Sequence, residues 1–162
     1  MISALEEINN NPKILSGIRL GAKIYDTCRS QTIGANRARD LLVYTLLQNE
    51  NQSLAAVIGP LRSDVAISVA NLLRVFHIPL VSYGATSPDL SNKELYSYFL
   101  RTVPPSSFQA EALADIMKKY GWSYVLAVYS AGNYGEKGMV MFENTAGRRK
   151  ICIAAREKVS TI

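Results

Sequence analysis

The stretch from residue 57 to 86 constrains the fold most, because it contains a complete strand–turn–helix–strand unit. It reads VIGPLRSDVAISVANLLRVFHIPLVSYGAT. A short β-branched run suits a buried strand, and Gly59-Pro60 ends it. Apolar residues then recur at helical spacing up to Pro79, after which a second strand begins. These residues are Val65, Val69, Leu72, Leu73 and Phe76. Two successive strands joined by a helix predict a parallel sheet.

Two polar features of this unit are expected at the same edge of the sheet. Ser63 stands at the predicted helix start with Asp64 in the first turn, and loop 84–86 follows the second strand. Free amides at a helix start suit a carboxylate, and open α/β sheets bind ligands at the carboxyl ends of their strands. The sequence therefore predicts a small-anion site here. On spacing alone, a capping role for Ser63 and an ordinary loop at 82–84 are the more frequent outcome.

The rest of the 162 residues alternates in the same way. Before the unit we predict a helix at 1–10, a half-buried strand at 18–25 and a helix at 31–48. After it we predict a short helix at 94–97, a strand at 98–103, a helix at 106–120, a buried strand at 124–129, a helix entered from a Gly-rich loop at 130–135, and a strand at 151–154. This order predicts an α/β fold with a parallel sheet and helices on both faces.

Composition argues against several classes of function. Hydrophobic content of 48% and charged content of 19% are ordinary for a globular core. The net charge of +5 is concentrated at predicted helix ends, at residues 118–119 and 148–150, so no nucleic-acid surface is expected. No apolar run approaches the roughly 18 residues that span a bilayer, and residues 1–7 do not read as a secretory signal. The sequon at 51–53 favours a secreted setting only weakly.

No catalytic motif is present. The chain has no GxGxxG, P-loop or GxSxG pattern, and the Gly-rich residues 132–138 lack phosphate-binding spacing. Cys28 and Cys152 form no metal spacing, and His77 is the only histidine. We therefore expect a binding protein with no metal and no cofactor, and we do not expect an enzyme.

Three longer segments carry a family resemblance. They are IGPLRSDVAISVANLLRVFHIPLVSYGATSPDLS, RTVPPSSFQAEALADIMKKYGWSYV and YSAGNYGEKG. They closely resemble the extracellular amino-terminal domain of metabotropic glutamate receptors, which are class C G-protein-coupled receptors. The opening ALEEINNNPKILSGIRLGAKIYDTC resembles the first helix and strand of the same domain. The resemblance covers nearly the whole chain.

The resemblance implies a clamshell of the type I periplasmic-binding-protein kind, which closes on an amino acid between two lobes. Residues 1–103 would form part of the first lobe, and residues 104–162 the truncated start of the second. The crossing would lie near Pro104-Pro105.

The resemblance also implies a set of ligand-binding residues. A serine and a threonine at the positions of Ser63 and Thr86 hold the α-carboxylate and α-amine in this family, helped by backbone groups of the same loop. A tyrosine at the position of Tyr134 faces the ligand from the second lobe. Glutamate receptors of the family usually carry an acidic residue at the position of Ser106. A serine has no charge, which implies weaker recognition of the ligand's α-amine. The implied set is Ser63, Gly84, Ala85, Thr86, Ser106 and Tyr134.

Some positions depart from the family pattern or have counterparts outside the chain. Arg62 replaces a small residue, and we expect it to point to water rather than to the ligand's distal acid. The resemblance implies that the residues that hold the ligand's distal carboxylate lie outside this chain. Cys28 and Cys152 resemble family cysteines with partners elsewhere, and we expect no bond between them. A short polar loop at 48–53 stands where the family has a long cysteine-bearing one, which puts a covalent bridge between protomers in doubt.

The leading hypothesis is an amino-acid-binding fragment of a receptor that signals by lobe closure, with L-glutamate as the first candidate. It implies the extracellular side of the cell membrane and contact with a G protein only through a transmembrane domain outside this chain. It also implies a homodimer through first-lobe helices, with Leu72, Val75 and Phe76 either in that contact or in the core. The alternatives are a class C receptor of orphan, calcium-sensing or nutrient-sensing type, or a soluble periplasmic-type amino-acid carrier.

Overall fold

The structure, a computed structural model, describes residues 1–47 and 53–160. Its helices are α1 (Ile2–Asn10), α2 (Gln31–Leu47), α3 (Ser63–Leu73), α4 (Ser106–Lys119) and α5 (Asn133–Arg148). Its strands are β1 (Val57–Ile58), β2 (Leu80–Ser82), β3 (Phe99–Arg101), β4 (Tyr124–Ser130) and β5 (Cys152–Val159). Short 3₁₀ helices cover Arg74–Phe76 and Pro88–Ser91. Most of the predicted loop at 48–53, with Asn51 of the sequon, lies outside the described residues.

The strands form two parallel sheets, which confirms the predicted α/β class with helix-flanked parallel sheets. The first has the order β1-β2-β3, with Leu80 opposite Phe99 and Ser82 opposite Arg101. The second pairs β4 with β5 in parallel. We call β1–β3 with α2 and α3 the first unit, and β4, β5, α4 and α5 the second unit. The predicted division into lobes near residue 104 falls between the two sheets and stays a prediction.

The core of the first unit forms where α3 packs against β2 and β3. Val65, Val69 and Leu73 lie one helical turn apart and are almost completely buried. They share a core with Leu80 and Phe99 from the two strands. The apolar spacing read from the sequence therefore places α3 correctly on its sheet.

The core of the second unit lies under one face of its sheet. Alternate β4 residues Val125, Ala127 and Tyr129 pack toward α4 and α5. The other face carries Tyr124, Leu126 and Val128, whose exposed fractions are 73%, 73% and 70%. The strand predicted to be buried is therefore half-buried on one face and exposed on the other.

The predicted strand at 18–25 does not form. Ile18 and Ile24 are exposed, and the segment pairs with no strand among the described residues. The side-chain amide of Asn9 instead bonds both backbone groups of Leu20, each at 2.8 Å. Alternation of apolar and polar residues predicts a strand only where another strand supplies the ladder, and here a side chain takes that place.

The predicted short helix at 94–97 is also wrong. The chain instead forms the 3₁₀ helix Pro88–Ser91, which Ser87 caps by accepting a hydrogen bond from the Asp89 N–H at 3.3 Å. Proline at the first position of this helix fits, because its missing N–H has no role there.

Small residues form much of the buried face of two helices. Leu46 of α2 and Leu113 and Ile116 of α4 are exposed. The buried positions on these helices are held largely by small residues, namely Gly34, Ala38, Ala110 and Ala114. Small side chains let helices approach closely, so they take the contact although they add little to the apolar pattern.

No helix in the described parts of the chain is both long enough and apolar enough to cross a membrane.

Candidate functional site

Ser82 joins the turn after β1 to the loop after β2. Its buried hydroxyl donates to the Pro60 carbonyl at 2.7 Å and accepts from the N–H groups of Ala85 at 3.0 Å and Gly84 at 3.3 Å. A Cβ on Gly84 would lie 2.1 Å from Leu61 Cδ1, so glycine permits this close approach. The sequence predicts an ordinary loop at residues 82–84 and does not indicate this role for Ser82. A serine at the end of a buried strand was the available signal.

Ser63 is the first residue of α3 and is 2% exposed. Its hydroxyl oxygen does not cap the helix but accepts the Ser87 N–H at 3.2 Å. The structure thus brings Ser63 against the loop that follows β2, as the sequence predicted for this sheet edge. Its O–H remains a donor at the start of α3, where the helix dipole gives partial positive charge.

Arg62 and Asp64 form a two-point ion pair at the start of α3. The guanidinium donates from Nε at 3.0 Å and from Nη2 at 2.7 Å, and Asp64 Oδ1 also accepts the Val65 N–H at 2.9 Å. Burial raises the pKa of Asp64, but the bonds from Arg62 and Val65 outweigh it, so its pKa lies below the ordinary value. The bond to Asp64 also raises the pKa of Arg62. Arg62 therefore pairs with Asp64, a role that the sequence analysis did not assign.

Thr86 and Ser106 connect the first unit to the second. The Thr86 carbonyl accepts the Ser106 N–H at 2.8 Å. The side-chain oxygens Thr86 Oγ1, Ser106 Oγ and Asn133 Oδ1 are buried and have no hydrogen-bond partner among the described residues. An unsatisfied buried polar group costs about 1–3 kcal/mol, and such groups often mark a place that a ligand or water completes.

Ser106 and Tyr134 line one cavity of about 370 Å³, within the usual range for small-molecule sites. Met139 and Phe142 contribute apolar lining, and Tyr134 itself is 49% exposed. A Cβ on Gly135 would lie 2.0 Å from the Ser130 carbonyl oxygen, so glycine lets α5 begin directly against the end of β4.

The predicted residues form a connected series rather than a single lining. Ser63 and Thr86 lie outside the lining of the cavity that Ser106 and Tyr134 share. Ser63 reaches the loop through Ser87, and Thr86 reaches Ser106 through its carbonyl. Gly84 and Ala85 precede Thr86 in the same loop and bond to Ser82.

Asp89 makes side-chain contacts between the two units. It accepts a hydrogen bond from Asn133 Nδ2 at 2.9 Å and pairs with Lys137 Nζ at 3.3 Å. Both partners lie in the first turns of α5, beside Tyr134. The start of α5 is therefore held against the 3₁₀ helix that follows the Thr86 loop.

The polar groups of this region offer hydrogen-bond donors and acceptors. Within residues 1–47 and 53–160, no three His, Cys, Asp or Glu side chains come together as a metal site. Asp64 and Asp89 already pair with cations. Cys28 and Cys152 are both exposed and are not bonded to each other, as predicted.

A family model described as the receptor family ligand binding region matches residues 1–161. The helix-flanked parallel sheets agree with the type I periplasmic-binding-like fold of that family. Because the match covers nearly the whole chain, this protein belongs to that family, the receptor family ligand binding region.

Proposed function

We propose that this chain binds a free L-α-amino acid where its two units meet, with L-glutamate as the first candidate. The observation that carries this proposal is the pair of buried hydroxyls on Thr86 and Ser106, one from each unit, which have no hydrogen-bond partner within the described residues. The two residues are joined by the 2.8 Å bond between their backbones. Hydroxyls without protein partners are suited to a polar ligand, because each can donate and accept.

The two ends of the ligand are recognised by different groups. The α-carboxylate docks at the start of α3, where the Ser63 hydroxyl donates and free amides add partial positive charge. The α-amine is bound by the hydroxyls of Thr86 and Ser106, with the ring of Tyr134 covering it. The amine is held without a free carboxylate, because Asp64 and Asp89 are already paired, so we expect modest affinity.

Binding is coupled to closure of the two units. A ligand that touches Thr86 on one side and Tyr134 on the other stabilises the arrangement in which both lie close. The contacts of Asp89 with Asn133 and Lys137 belong to that closed arrangement. Closure is then the signal, and no chemical step is required.

In the complete receptor, we place this region on the extracellular side of the cell membrane. It would form a homodimer through first-unit helices and act on a G protein through a separate transmembrane domain. Val75 and Phe76 support the dimer because they are 68% and 45% exposed, while Leu72 is half-buried.

Ser106 favours a second candidate, a class C receptor with another specificity, because a neutral hydroxyl replaces the acid of the glutamate receptors. A soluble amino-acid carrier would share the same site. Transmembrane segments encoded downstream of residue 162 would identify a receptor, and their absence a carrier.

Calorimetric titration of the 162-residue chain with L-glutamate, L-serine and glycine tests the proposal. We expect saturable binding without turnover, weakened about tenfold by Thr86→Val and by Ser106→Ala, since each removes one hydrogen bond to the ligand. Neither variant loses a protein hydrogen bond, so the unliganded melting temperature should stay level or rise.

Ser107→Ala is the matched control, because it removes a neighbouring hydroxyl on the same helix, and it should leave binding unchanged. The proposal would be wrong if the wild type bound none of the three amino acids. It would also be wrong if the wild type and both site variants bound them with equal affinity.

A further inference from the structure

The guanidinium of Arg101 is bound to the loop that carries Thr86. Its Nη1 donates to the carbonyls of Ala85 at 3.2 Å and Ser87 at 2.9 Å, and its Nη2 donates to the hydroxyl of Ser91. These carbonyls flank Thr86 on either side. One side chain at the end of β3 therefore holds the backbone both before and after a proposed ligand-binding residue.

The guanidinium has no counterion in the described parts of the chain. No carboxylate there lies within ion-pairing distance of Arg101, and burial lowers the pKa of Arg101 from its usual value. Arginine nevertheless keeps its charge at neutral pH, so the bonds to the loop are charge-assisted. Within the described residues, this half-buried cation donates hydrogen bonds to backbone carbonyls and to one hydroxyl. These contacts indicate that its role is to maintain the conformation of the loop.

Hydrogen bonds fix the orientation of two peptide planes in this loop. The plane between Thr86 and Ser87 is fixed at both ends, because its carbonyl accepts from Ser106 and its N–H donates to Ser63. The preceding plane is held at its carbonyl by Arg101. In a trans peptide the N–H points opposite to the carbonyl, so the Thr86 N–H points away from the guanidinium.

We propose that Arg101 is a positioning residue: by holding the Ala85 carbonyl, it turns the Thr86 N–H toward the α-carboxylate of the bound amino acid. The inference rests on the proposed function for its ligand, whereas its effect on the loop is independent of any ligand. Arg101 itself does not touch the ligand in this scheme.

The test compares Arg101→Lys with Arg74→Lys in the full chain. A lysine ammonium is a point donor and cannot bridge the two carbonyls as the planar guanidinium does. Arg74 is the matched control, because its guanidinium also donates to a backbone carbonyl, that of Leu95 at 2.9 Å, away from the site. If Arg101→Lys fails to fold, Arg101→Gln is measured in its place.

Two measurements are made on each variant. Without ligand, amide hydrogen exchange at Ser87, whose N–H is bonded to Ser63, should accelerate about tenfold in Arg101→Lys and stay unchanged in Arg74→Lys. With ligand, Arg101→Lys should weaken L-glutamate about tenfold while changing its α-amide, which lacks the carboxylate, less than about twofold.

Unchanged exchange in a folded Arg101 variant would overturn the inference whatever the binding result. An equal loss of affinity for L-glutamate and its α-amide would also overturn it, because it would indicate a structural role only. If exchange accelerates but the wild type binds neither compound, the orientation of the loop by Arg101 stands and the proposed ligand class is wrong.

Discussion

The two units share one strand–helix design but differ in how fully they are buried. In the first, Leu73, Leu80 and Phe99 are almost completely enclosed between α3 and the sheet. Among the described residues of the second, the apolar side chains buried to that degree are alanines, while Met139 and Phe142 keep some exposure and one face of β4 is exposed. The same local pattern has therefore produced a deep core in one place and a thin one in the other.

This difference in burial indicates that the first unit supplies the more rigid part of the proposed site. Ser63 and the Thr86 loop are held by buried hydrogen bonds through Ser82, Ser87 and Arg101 in the well-packed unit. Tyr134 stands on the less buried one. The proposed site therefore has one well-packed side and one less buried side. The proposed closure would move the less buried side, since locally less stable elements are the ones that move.

Core truncation is the strongest way to break this comparison. We expect Phe99→Ala to lower the free energy of unfolding by about 4 kcal/mol and Phe142→Ala by about 2–3 kcal/mol. The smaller effect is expected because Phe142 is less completely buried, so water can partly fill the space that its truncation leaves. Urea unfolding followed by circular dichroism measures both.

Leu126→Ala, on the bare face of β4, is the control for that series and should change stability by less than about 0.5 kcal/mol. A cost for Phe142→Ala equal to that for Phe99→Ala would mean that the two cores are equivalent.

The acidic residues in the first turns of α3 and α5 give a sharper contrast. Asp64 accepts hydrogen bonds from Arg62 at two points and from the Val65 N–H, whereas Glu136 pairs with Lys158 at 3.4 Å on the surface. We expect Asp64→Asn to cost about 1–2 kcal/mol at pH 7 and Glu136→Gln less than about 0.5 kcal/mol.

The pH dependence of the Asp64→Asn effect has a definite sign. The pKa of Asp64 is depressed in the folded state, so its stabilisation is complete above the unfolded value near about 4 and is lost as pH falls through the folded pKa. Stability curves of wild type and Asp64→Asn should therefore converge toward acid. A difference that is constant between pH 2 and 7 would contradict this assignment.

The contact of Asp89 with Lys137 tests how far the units act together. Because both side chains are partly exposed, a double-mutant cycle of Asp89→Asn and Lys137→Met should give a coupling of about 0–1 kcal/mol that fades with salt. If this pair supports closure, Asp89→Asn should weaken amino-acid binding severalfold.

The control for that experiment is Asp115→Asn, which breaks a pair with Arg149 inside the second unit and should leave binding unchanged. Equal effects of the Asp89 and Asp115 variants on binding would argue against a role in closure.

Prediction of the fold from sequence succeeded where the signals are local. The first residue of α3, Ser63, and the positions of β2 and β3 follow from proline, glycine and apolar spacing, which act within a few residues. The strand at 18–25 failed because strand formation depends on a partner elsewhere in the chain. For the site, spacing indicated only Ser63 and the loop at 84–86, and Ser106 and Tyr134 came from the family resemblance.

The amino-acid sequence alone predicts most of the order of strands and helices, the parallel direction of neighbouring strands and the family. The hydrogen-bond partners of the site's polar groups within the protein follow from the tertiary structure alone. The Ser63 hydroxyl meets Ser87 from 24 residues away, and Arg101 reaches Ala85 across 16 residues. Such partners are chosen by how the elements pack, because a hydroxyl or guanidinium has many possible acceptors along a chain and the fold brings only a few within bonding distance.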